Sequence, residues 1–247
     1  MADKSTTFYK LEATKYTQLL HNNTTKTYKS QSNKLKIDKA TITEKFHIDD
    51  RIETTATKEA FITLKDHKDN FENKPTCRLI NPSKREIGKI SKQILEHINK
   101  KLLNVTKVNQ WKNISSVLQW FKNLPNKCRC AFIIFDVVEF YPSISETVLQ
   151  RVLDFAANYI TISNDDQHII LQVKQSLLFN NGFTWQKRNT NMLFKVTIGS
   201  YDGAEICKLV GIHTLSQLKK IPWILEIGLY RDDGFAVLDQ TPQKIKK

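Results

Sequence analysis

Residues 227–238 read IGLYRDDGFAVL and place two adjacent aspartates, Asp232 and Asp233, between two apolar runs. Asp-Gly between two apolar runs is a strong signal for a β-hairpin. Adjacent carboxylates repel one another, and burying them is costly unless a positive charge lies between them. The stretch therefore predicts a hairpin whose turn, at the two aspartates, is either a solvated turn or a site for a cation.

A third carboxylate, Asp136, ends an apolar run in the stretch CAFIIFDVVEFYPSIS at residues 130–145. The run predicts a buried strand that ends at Asp136. Mg²⁺ prefers hard oxygen ligands and is commonly held by one or two carboxylates together with substrate phosphates. If neighbouring strands bring Asp136 to Asp232 and Asp233, the three side chains supply the protein ligands of a two-metal site for phosphoryl transfer.

The other elements are predicted from apolar spacing and from turn residues. Ser143 and Glu146 match the S-x-x-E capping box and predict the start of a helix. Short strands are expected at 61–64, 77–80 and 183–187, and helices at 86–103, 111–125, 165–179 and 201–218. The four tryptophans, among them Trp111 and Trp120, are interpreted as core residues rather than platforms for stacking bases.

The formal net charge of the chain is +13, and all of this excess lies in residues 1–130, because the remaining residues carry equal numbers of acidic and basic side chains. A basic half joined to a neutral half favours a polyanionic partner, most commonly nucleic acid. A lysine-rich solvated surface is the alternative explanation. Residues 1–57 are expected to form a basic, partly flexible arm, or else an extension ordered only by the main body.

The four cysteines, Cys77, Cys128, Cys130 and Cys207, have neither the spacing of a zinc site nor the density of a disulfide scaffold. The N-terminus lacks the apolar core of a signal peptide, and no apolar stretch approaches the roughly 20 residues of a membrane span. The expectation is a soluble protein without membrane contact, cytoplasmic or nuclear and not secreted.

Four stretches, in this order, resemble the motifs of reverse transcriptases. FDVVEFYPSI at 135–144 resembles motif A and YRDD at 230–233 resembles motif C, while IGSYDGAEIC at 198–207 occupies the place of motif B. KDHKDNFENKPTCRLINP at 65–82 resembles the fingers hairpin. The motif sequences are similar to retroelement-derived reverse-transcriptase-like proteins of animals, of the non-LTR or Penelope-like kind, and the resemblance covers about residues 58–239.

The resemblance implies an α+β right-hand polymerase fold with fingers and palm, in which helices back an antiparallel palm sheet. The expected segments are the arm at 1–57, a fingers-like segment at 58–130 and a palm-like segment at 131–247 that holds motifs A, B and C. The chain ends shortly after Asp233, so the thumb is expected to be absent or truncated.

The resemblance also implies roles for the carboxylates. Asp136 and Asp232 would bind both catalytic metals, Asp233 would assist, and the backbone carbonyl of Val137 would complete one metal shell. The implied cofactors are two Mg²⁺ or Mn²⁺ ions.

Nucleotide-contacting residues follow from the same motifs. Tyr141 falls where the family keeps an aromatic steric gate, which would exclude a ribose 2′-OH. Arg78 matches the fingers arginine that grips the incoming triphosphate, with Lys65 or Lys68 as its lysine partner. An arginine offers a planar fork of donors to phosphate and a lysine a point charge.

Two glycines, Gly199 and Gly203, would let the motif B backbone approach the template–primer or the incoming base. The chain departs from many family members at Asp202, where a glutamine is common. An acid near substrate phosphates is unexpected, and capping of the following helix is the alternative role for Asp202.

The function implied is that of an RNA-directed DNA polymerase of a retroelement, with an RNA template, a DNA or RNA primer and dNTPs as partners. Three alternatives remain open: a catalytically inactive nucleic-acid-binding remnant, an RNA-dependent RNA polymerase-like palm, and an interaction protein with a solvated Asp-Asp turn. The sequence identifies no protein partner and leaves the activity of this chain undecided.

Overall fold

The computed structural model describes residues 2, 7–31, 59–82, 86–174, 178–181, 183–188 and 194–239. The chain divides into two compact units. Residues 1–89 and 172–203 form unit 1, and residues 90–171 and 204–247 form unit 2. The two units meet at residues 89/90, 171/172 and 203/204, and none of these boundaries lies at residue 130. The predicted change from a fingers-like to a palm-like segment at residue 130 stays a prediction.

Unit 2 contains a four-stranded sheet in the order β4, β8, β9, β5. The strands are β4 (Asn109–Gln110), β5 (Ala131–Asp136), β8 (Ile224–Tyr230) and β9 (Asp233–Leu238). The pairs β8–β9 and β9–β5 are antiparallel, whereas the short β4 pairs with β8 in parallel. The predicted sheet that carries Asp136 and the 227–238 hairpin is therefore present.

The helices are α2 (Glu86–Thr106), α3 (Ile114–Asn123), α4 (Phe140–Ser143), α5 (Glu146–Ala157), α6 (Asn164–Gln172) and α7 (Gly203–Leu218). Helix α3 is capped by Asn113, whose side chain accepts a hydrogen bond from the Ser116 amide. The prediction that Ser143 caps the following helix is wrong. The side chain of Ser145 caps α5 by accepting from the Val148 amide, because Ser143 is itself the last residue of α4.

The two faces of the sheet have different environments because side chains alternate along each strand. One face, which we call the core face, buries Ala131, Ala236 and Leu238 together with residues of β8 against Leu215 of α7. The opposite face, which we call the carboxylate face, carries Asp136 and the residues that share its side. Aliphatic burial on the core face supplies the hydrophobic free energy that holds the strands together.

Strand β5 differs from the buried strand that the sequence predicts. It lies at the edge of the sheet, and only its alternate residues face α7, so Ile134 on the carboxylate face is 82% exposed. An unbroken apolar run resembles a strand buried on both faces, which is why the sequence alone indicates full burial.

Unit 1 contains α1 (Ala13–Thr27), β1 (Tyr28–Gln31), β2 (Phe61–Leu64), β3 (Cys77–Ile80), β6 (Leu178–Asn180) and β7 (Phe183–Lys187). Its strands form one sheet in the order β1, β7, β6 and a separate β2–β3 hairpin. The helix predicted at 165–179 is too long, since α6 ends at Gln172 and β6 begins at Leu178.

Part of the predicted N-terminal arm belongs to unit 1. Strand β1 pairs with β7 in antiparallel register from Tyr28 opposite Lys187 to Gln31 opposite Thr184. Residues 32–57 of the predicted arm lie outside the described residues, and the assignment of residues 1–57 as an arm stays a prediction.

None of the helices in the described ranges is both long enough and apolar enough to cross a membrane.

Candidate functional site

The hairpin of β8 and β9 turns at Arg231 and Asp232, with Tyr230 opposite Asp233 as its closing pair. The sequence predicts the turn at the two aspartates, on the basis of the Asp-Gly signal. The structure moves it one residue earlier, so Asp233 is the first residue of β9 and Asp232 alone of the two lies in the turn.

Gly234 has a packing role that explains this shift. It lies opposite Phe135 in the β5–β9 register, and a Cβ atom built on it would stand 2.1 Å from Cζ of the Phe135 ring. The ring therefore lies directly over the glycine backbone. Gly234 is required inside the strand for the approach of this ring, and not for turn geometry.

Asp136 and Asp233 are direct cross-strand partners in the β5–β9 pairing. At the next position the Val137 amide donates to the Asp232 carbonyl at 2.9 Å. Hydrogen-bonded and non-hydrogen-bonded pairs alternate in an antiparallel ladder, so Asp136 and Asp233 occupy a non-hydrogen-bonded pair, where opposing side chains stand closest. The register thus brings two of the three predicted carboxylates together on one face.

All three aspartates are exposed to solvent. Their carboxylates are hard oxygen donors of the type that Mg²⁺ prefers, and an opposed pair open to solvent fits an ion that completes its shell with water and substrate phosphates. Within the described ranges, however, no three His, Cys, Asp or Glu side chains are arranged to hold a metal ion. The geometry therefore provides a pair of ligands from Asp136 and Asp233, with Asp232 beside them in the turn.

Aromatic side chains of α3 cover one end of the carboxylate face. Trp120 and Phe121 of α3 pack on Phe235, which lies two residues, or roughly 7 Å, along β9 from Asp233. Trp111 in turn packs on Trp120, with ring centroids 4.9 Å apart. These contacts hold α3 against one end of the carboxylate face and leave Trp111 and Trp120 half-buried. The prediction of four core tryptophans is wrong for Trp223, which is 47% exposed.

Tyr141 lies in α4, five residues after Asp136, and is partly buried. The connection between them passes through Glu139, which has a left-handed backbone conformation with a φ of +51° immediately before the helix begins. Val137 is held in place by the bond from its amide to Asp232. The structure places Tyr141 and Val137 in the same unit as the three carboxylates.

The predicted basic residues lie on the β2–β3 hairpin of unit 1. Arg78 is opposite Thr63 in the register, and the Lys65 amide donates to the Thr76 carbonyl just beyond the paired strands. Lys68 follows in the connecting turn, where its amide donates to the Lys65 carbonyl. The hairpin thus brings all three basic residues onto one element, and the choice between Lys65 and Lys68 stays open.

Gly199 has a φ of +107°, and a Cβ atom on it would stand 2.8 Å from the Asn81 carbonyl oxygen. Only glycine fits both constraints, so the backbone approach that the sequence assigns to nucleic acid is made here to the protein's own chain. Gly203, the other predicted glycine, is buried and begins α7.

Asp202 is completely buried, and its Oδ1 accepts a hydrogen bond from Nζ of Lys174, which is also buried. This ion pair explains why an aspartate is tolerated at position 202, because the neighbouring ammonium group of Lys174 compensates the charge of the carboxylate. Asp202 immediately precedes the first residue of α7, where a negative charge is favourable. Lys174 was not predicted as a site residue, although a single lysine in the apolar run IILQVKQSLLF is a signal for a buried charge.

The predicted site residues therefore form two groups. The three aspartates, Val137 and Tyr141 belong to unit 2, and the basic hairpin residues with the two glycines belong to unit 1. The sequence analysis gave no role to Arg231 or Tyr230, although both lie inside the stretch YRDD.

The fold is similar to that of telomerase, a reverse-transcriptase-related enzyme. Apo telomerase from Candida tropicalis truncated from its C-terminal domain matches with a TM-score of 0.61 and 12% identity, over 93% of this chain and 49% of that chain. Apo telomerase from the same organism matches with a TM-score of 0.60 and 12% identity, over 93% and 44% of the two chains.

Telomerase from Candida albicans, solved in complex with a TWJ fragment of telomeric RNA, matches with a TM-score of 0.55 and 10% identity, over 94% of this chain and 43% of that chain. The chain thus spans less than half the length of these telomerases. No protein-family model and no curated protein matches it. The similarity shows a mixed α+β fold like that of these telomerases.

Proposed function

We propose that the chain is the core of an RNA-directed DNA polymerase of a retroelement, which adds dNTPs to a primer 3′-OH. The observation that carries this proposal is the cross-strand pair of Asp136 and Asp233 beside Asp232, at a hairpin turn in a telomerase-like fold. Exposed, closely opposed carboxylates without a cationic partner are unfavourable, and they are what a site for divalent ions and phosphates requires.

In the proposed reaction the primer 3′ oxygen forms a bond to the α-phosphorus of the dNTP. The bond from that phosphorus to the bridging oxygen breaks, pyrophosphate leaves, and the hydroxyl proton passes to solvent. Mg²⁺ or Mn²⁺, two ions held by Asp136, Asp232, Asp233 and the Val137 carbonyl, would supply electrophilic stabilisation of the developing charge. The register of β5 and β9 orients Asp136 and Asp233 toward the same side before any ligand binds.

The remaining predicted residues are proposed to position the nucleotide. Arg78 with Lys65 or Lys68 would bind the triphosphate, since all three residues belong to the β2–β3 hairpin. Tyr141 would exclude a ribose 2′-OH through the bulk of its ring. We propose that Gly199 and Gly203 act by shaping the turn that leads into α7, since the φ of Gly199 requires glycine.

The proposed partners are an RNA template and a DNA or RNA primer. The excess positive charge in residues 1–130 favours binding to phosphate backbones. The Candida albicans telomerase was solved with a fragment of telomeric RNA, which supports RNA binding by a chain with this fold. We propose that the bound RNA is the template. Such a protein would act in the cytoplasm or the nucleus.

A second candidate function is nucleic-acid binding without turnover. It is favoured by the finding that, in the part of the chain that the structure describes, no three potential ligands converge on a metal position. In this case the carboxylate pair would not support catalysis, and the basic residues would bind the nucleic acid.

Primer extension on an RNA template separates the two candidates. The full chain is assayed with dNTPs and Mg²⁺ or Mn²⁺, beside Asp136→Asn and Asp232→Asn. A matched control is Asp239→Asn, because Asp239 is exposed and follows the opposite end of β9. Polymerase function predicts extension by the chain and the control but not by the two variants. Equal RNA binding with no extension by any of them would support the second candidate, and extension with rNTPs in place of dNTPs would indicate an RNA polymerase.

A further inference from the structure

Arg231 is the first of the two turn residues of the β8–β9 hairpin, and its φ is +59°. A non-glycine residue with this φ is uncommon, and glycine, asparagine or aspartate is the usual choice in such a turn. The chain therefore keeps an arginine at a position where the backbone favours other residues. Such a local cost points to a role for the side chain itself.

The guanidinium of Arg231 stacks on the ring of Tyr230, with Cζ 5.4 Å from the ring centroid. Tyr230 is opposite Asp233, which is opposite Asp136, so the tyrosine projects on the carboxylate face. The stacked guanidinium is thus held near the three carboxylates. Stacking uses the flat surface of the group and leaves its N–H donors at the edges available.

No described residue forms a hydrogen bond or an ion pair with the Arg231 guanidinium, which lies over the ring of Tyr230. This holds although Asp232 and Asp233 are its nearest neighbours in sequence on one side. The carboxylates remain available for cations and the guanidinium for an anion. A planar fork of free donors matches the geometry of a phosphate group.

We propose that Arg231, oriented by Tyr230, binds a phosphate group next to the carboxylate pair. The inference rests on the proposed function, which supplies two sources of this chemistry: the phosphodiester backbone of a bound strand and the triphosphate of a nucleotide. In both cases Arg231 counters the repulsion between the ligand phosphate and the aspartates around it. Arg231 is a binding residue and takes no part in bond formation.

The test uses the full chain and measures binding rather than turnover. One arm titrates a fluorescein-labelled RNA–DNA template–primer by fluorescence anisotropy at several salt concentrations, and the other titrates dTTP with Mg²⁺ by calorimetry. Arg231→Gln removes the charge. If the phosphodiester is the ligand, template–primer binding weakens about three- to tenfold at low salt. The plot of log association constant against log salt concentration then becomes less steep, by about 0.7–0.9 in the magnitude of its slope. If the triphosphate is the ligand, dTTP binding weakens by a similar factor.

Two further variants keep the result interpretable. Arg151→Gln is the matched charge control, because Arg151 is exposed on α5 near His213 of α7, the helix that packs on the core face. Arg231→Gly removes the charge while relieving the backbone, so its Tm is expected to stay equal or rise while binding weakens. A purely structural role for Arg231 would lower the Tm and binding together.

The proposal is overturned if Arg231→Gln binds both probes as tightly as the unaltered chain, or if Arg151→Gln causes the same loss. It is also overturned if the unaltered chain binds neither probe. Loss of primer extension alone does not affect it, because both arms are read without catalysis, and a chain that binds through Arg231 but does not extend primers would contradict only the polymerase function.

Discussion

Replacing Asp202 by asparagine removes one half of the buried ion pair and leaves the Lys174 ammonium without its negative partner. Lys174 and Asp202 are 1% and 0% exposed, so water cannot replace the lost charge. Breaking a buried pair from one side costs about 3–5 kcal/mol, because the remaining charge stays desolvated after it loses its ion-pair partner. We expect Asp202→Asn to lower the free energy of unfolding by about this amount.

The magnitude translates into a large thermal shift. A change of 1 kcal/mol moves the Tm by about 2–4 °C in a chain of this size, so a loss of 3–5 kcal/mol lowers the Tm by roughly 6–20 °C. The double variant Lys174→Met with Asp202→Asn removes both charges and is expected to be more stable than Asp202→Asn. A methionine fills the volume of the lysine stem without an ammonium group to desolvate.

The assay is urea unfolding followed by circular dichroism for the chain, the two single variants and the double variant. Lys92→Gln is the matched control, since Lys92 pairs with Glu96 at 3.6 Å on an exposed helix surface and should contribute below about 1 kcal/mol. If Asp202→Asn loses no more than Lys92→Gln, or if the two single losses add up in the double variant, the pair does not stabilise the fold as argued here.

Three further predictions follow from single sites. Gly199→Ala should lose about 2 kcal/mol or more in the same urea assay, because its φ and the Asn81 carbonyl both exclude a Cβ atom; an unchanged midpoint would contradict this. Burial, with smaller contributions from nearby cationic side chains, lowers the pKa of His213 below 6.5, so the unfolded chain binds the proton more readily. Stability attributable to His213 is therefore complete above pH 6.5 and falls as the pH drops below it, and His213→Gln should reduce this slope in pH-dependent unfolding. Alkylation by iodoacetamide at neutral pH, mapped by mass spectrometry, should be faster at exposed Cys128 than at Cys77, whose thiol pKa is raised by burial; the reverse order would contradict the description of β3.

The hairpin and its neighbouring strand were predictable because their signals are local. Apolar runs on either side of Asp-Asp-Gly define β8 and β9, and the run before Asp136 defines β5. The exact turn was not predictable, since it depends on the Phe135 ring lying over Gly234, and this contact joins residues about 100 positions apart in sequence. The packing of Phe135 on Gly234 between β5 and β9 therefore determines the turn position, and the local preference of Asp-Gly for a turn does not.

The partner of the buried carboxylate could not be identified from the sequence for a similar reason. Asp202 appeared out of place beside substrate phosphates, because its partner Lys174 precedes it by 28 residues, in the turn that follows α6. The role of Arg231 was equally hidden, since an arginine in a turn has no distinctive pattern. Its φ and its stacking on Tyr230 become visible only in three dimensions.

The Phe135–Gly234 contact has a consequence for how reliably the site forms during folding. A slip of β5 by one residue along β9 would turn every side chain of β5 to the opposite face. Asp136 would then point toward α7, and the Phe135 ring would meet a residue with a side chain instead of the glycine. Both changes are unfavourable in the same misaligned structure, so a shifted pairing of β5 with β9 is less stable than the native pairing. Gly234 therefore favours the native register of β5 on β9, in which Asp136 and Asp233 lie on the same face of the sheet.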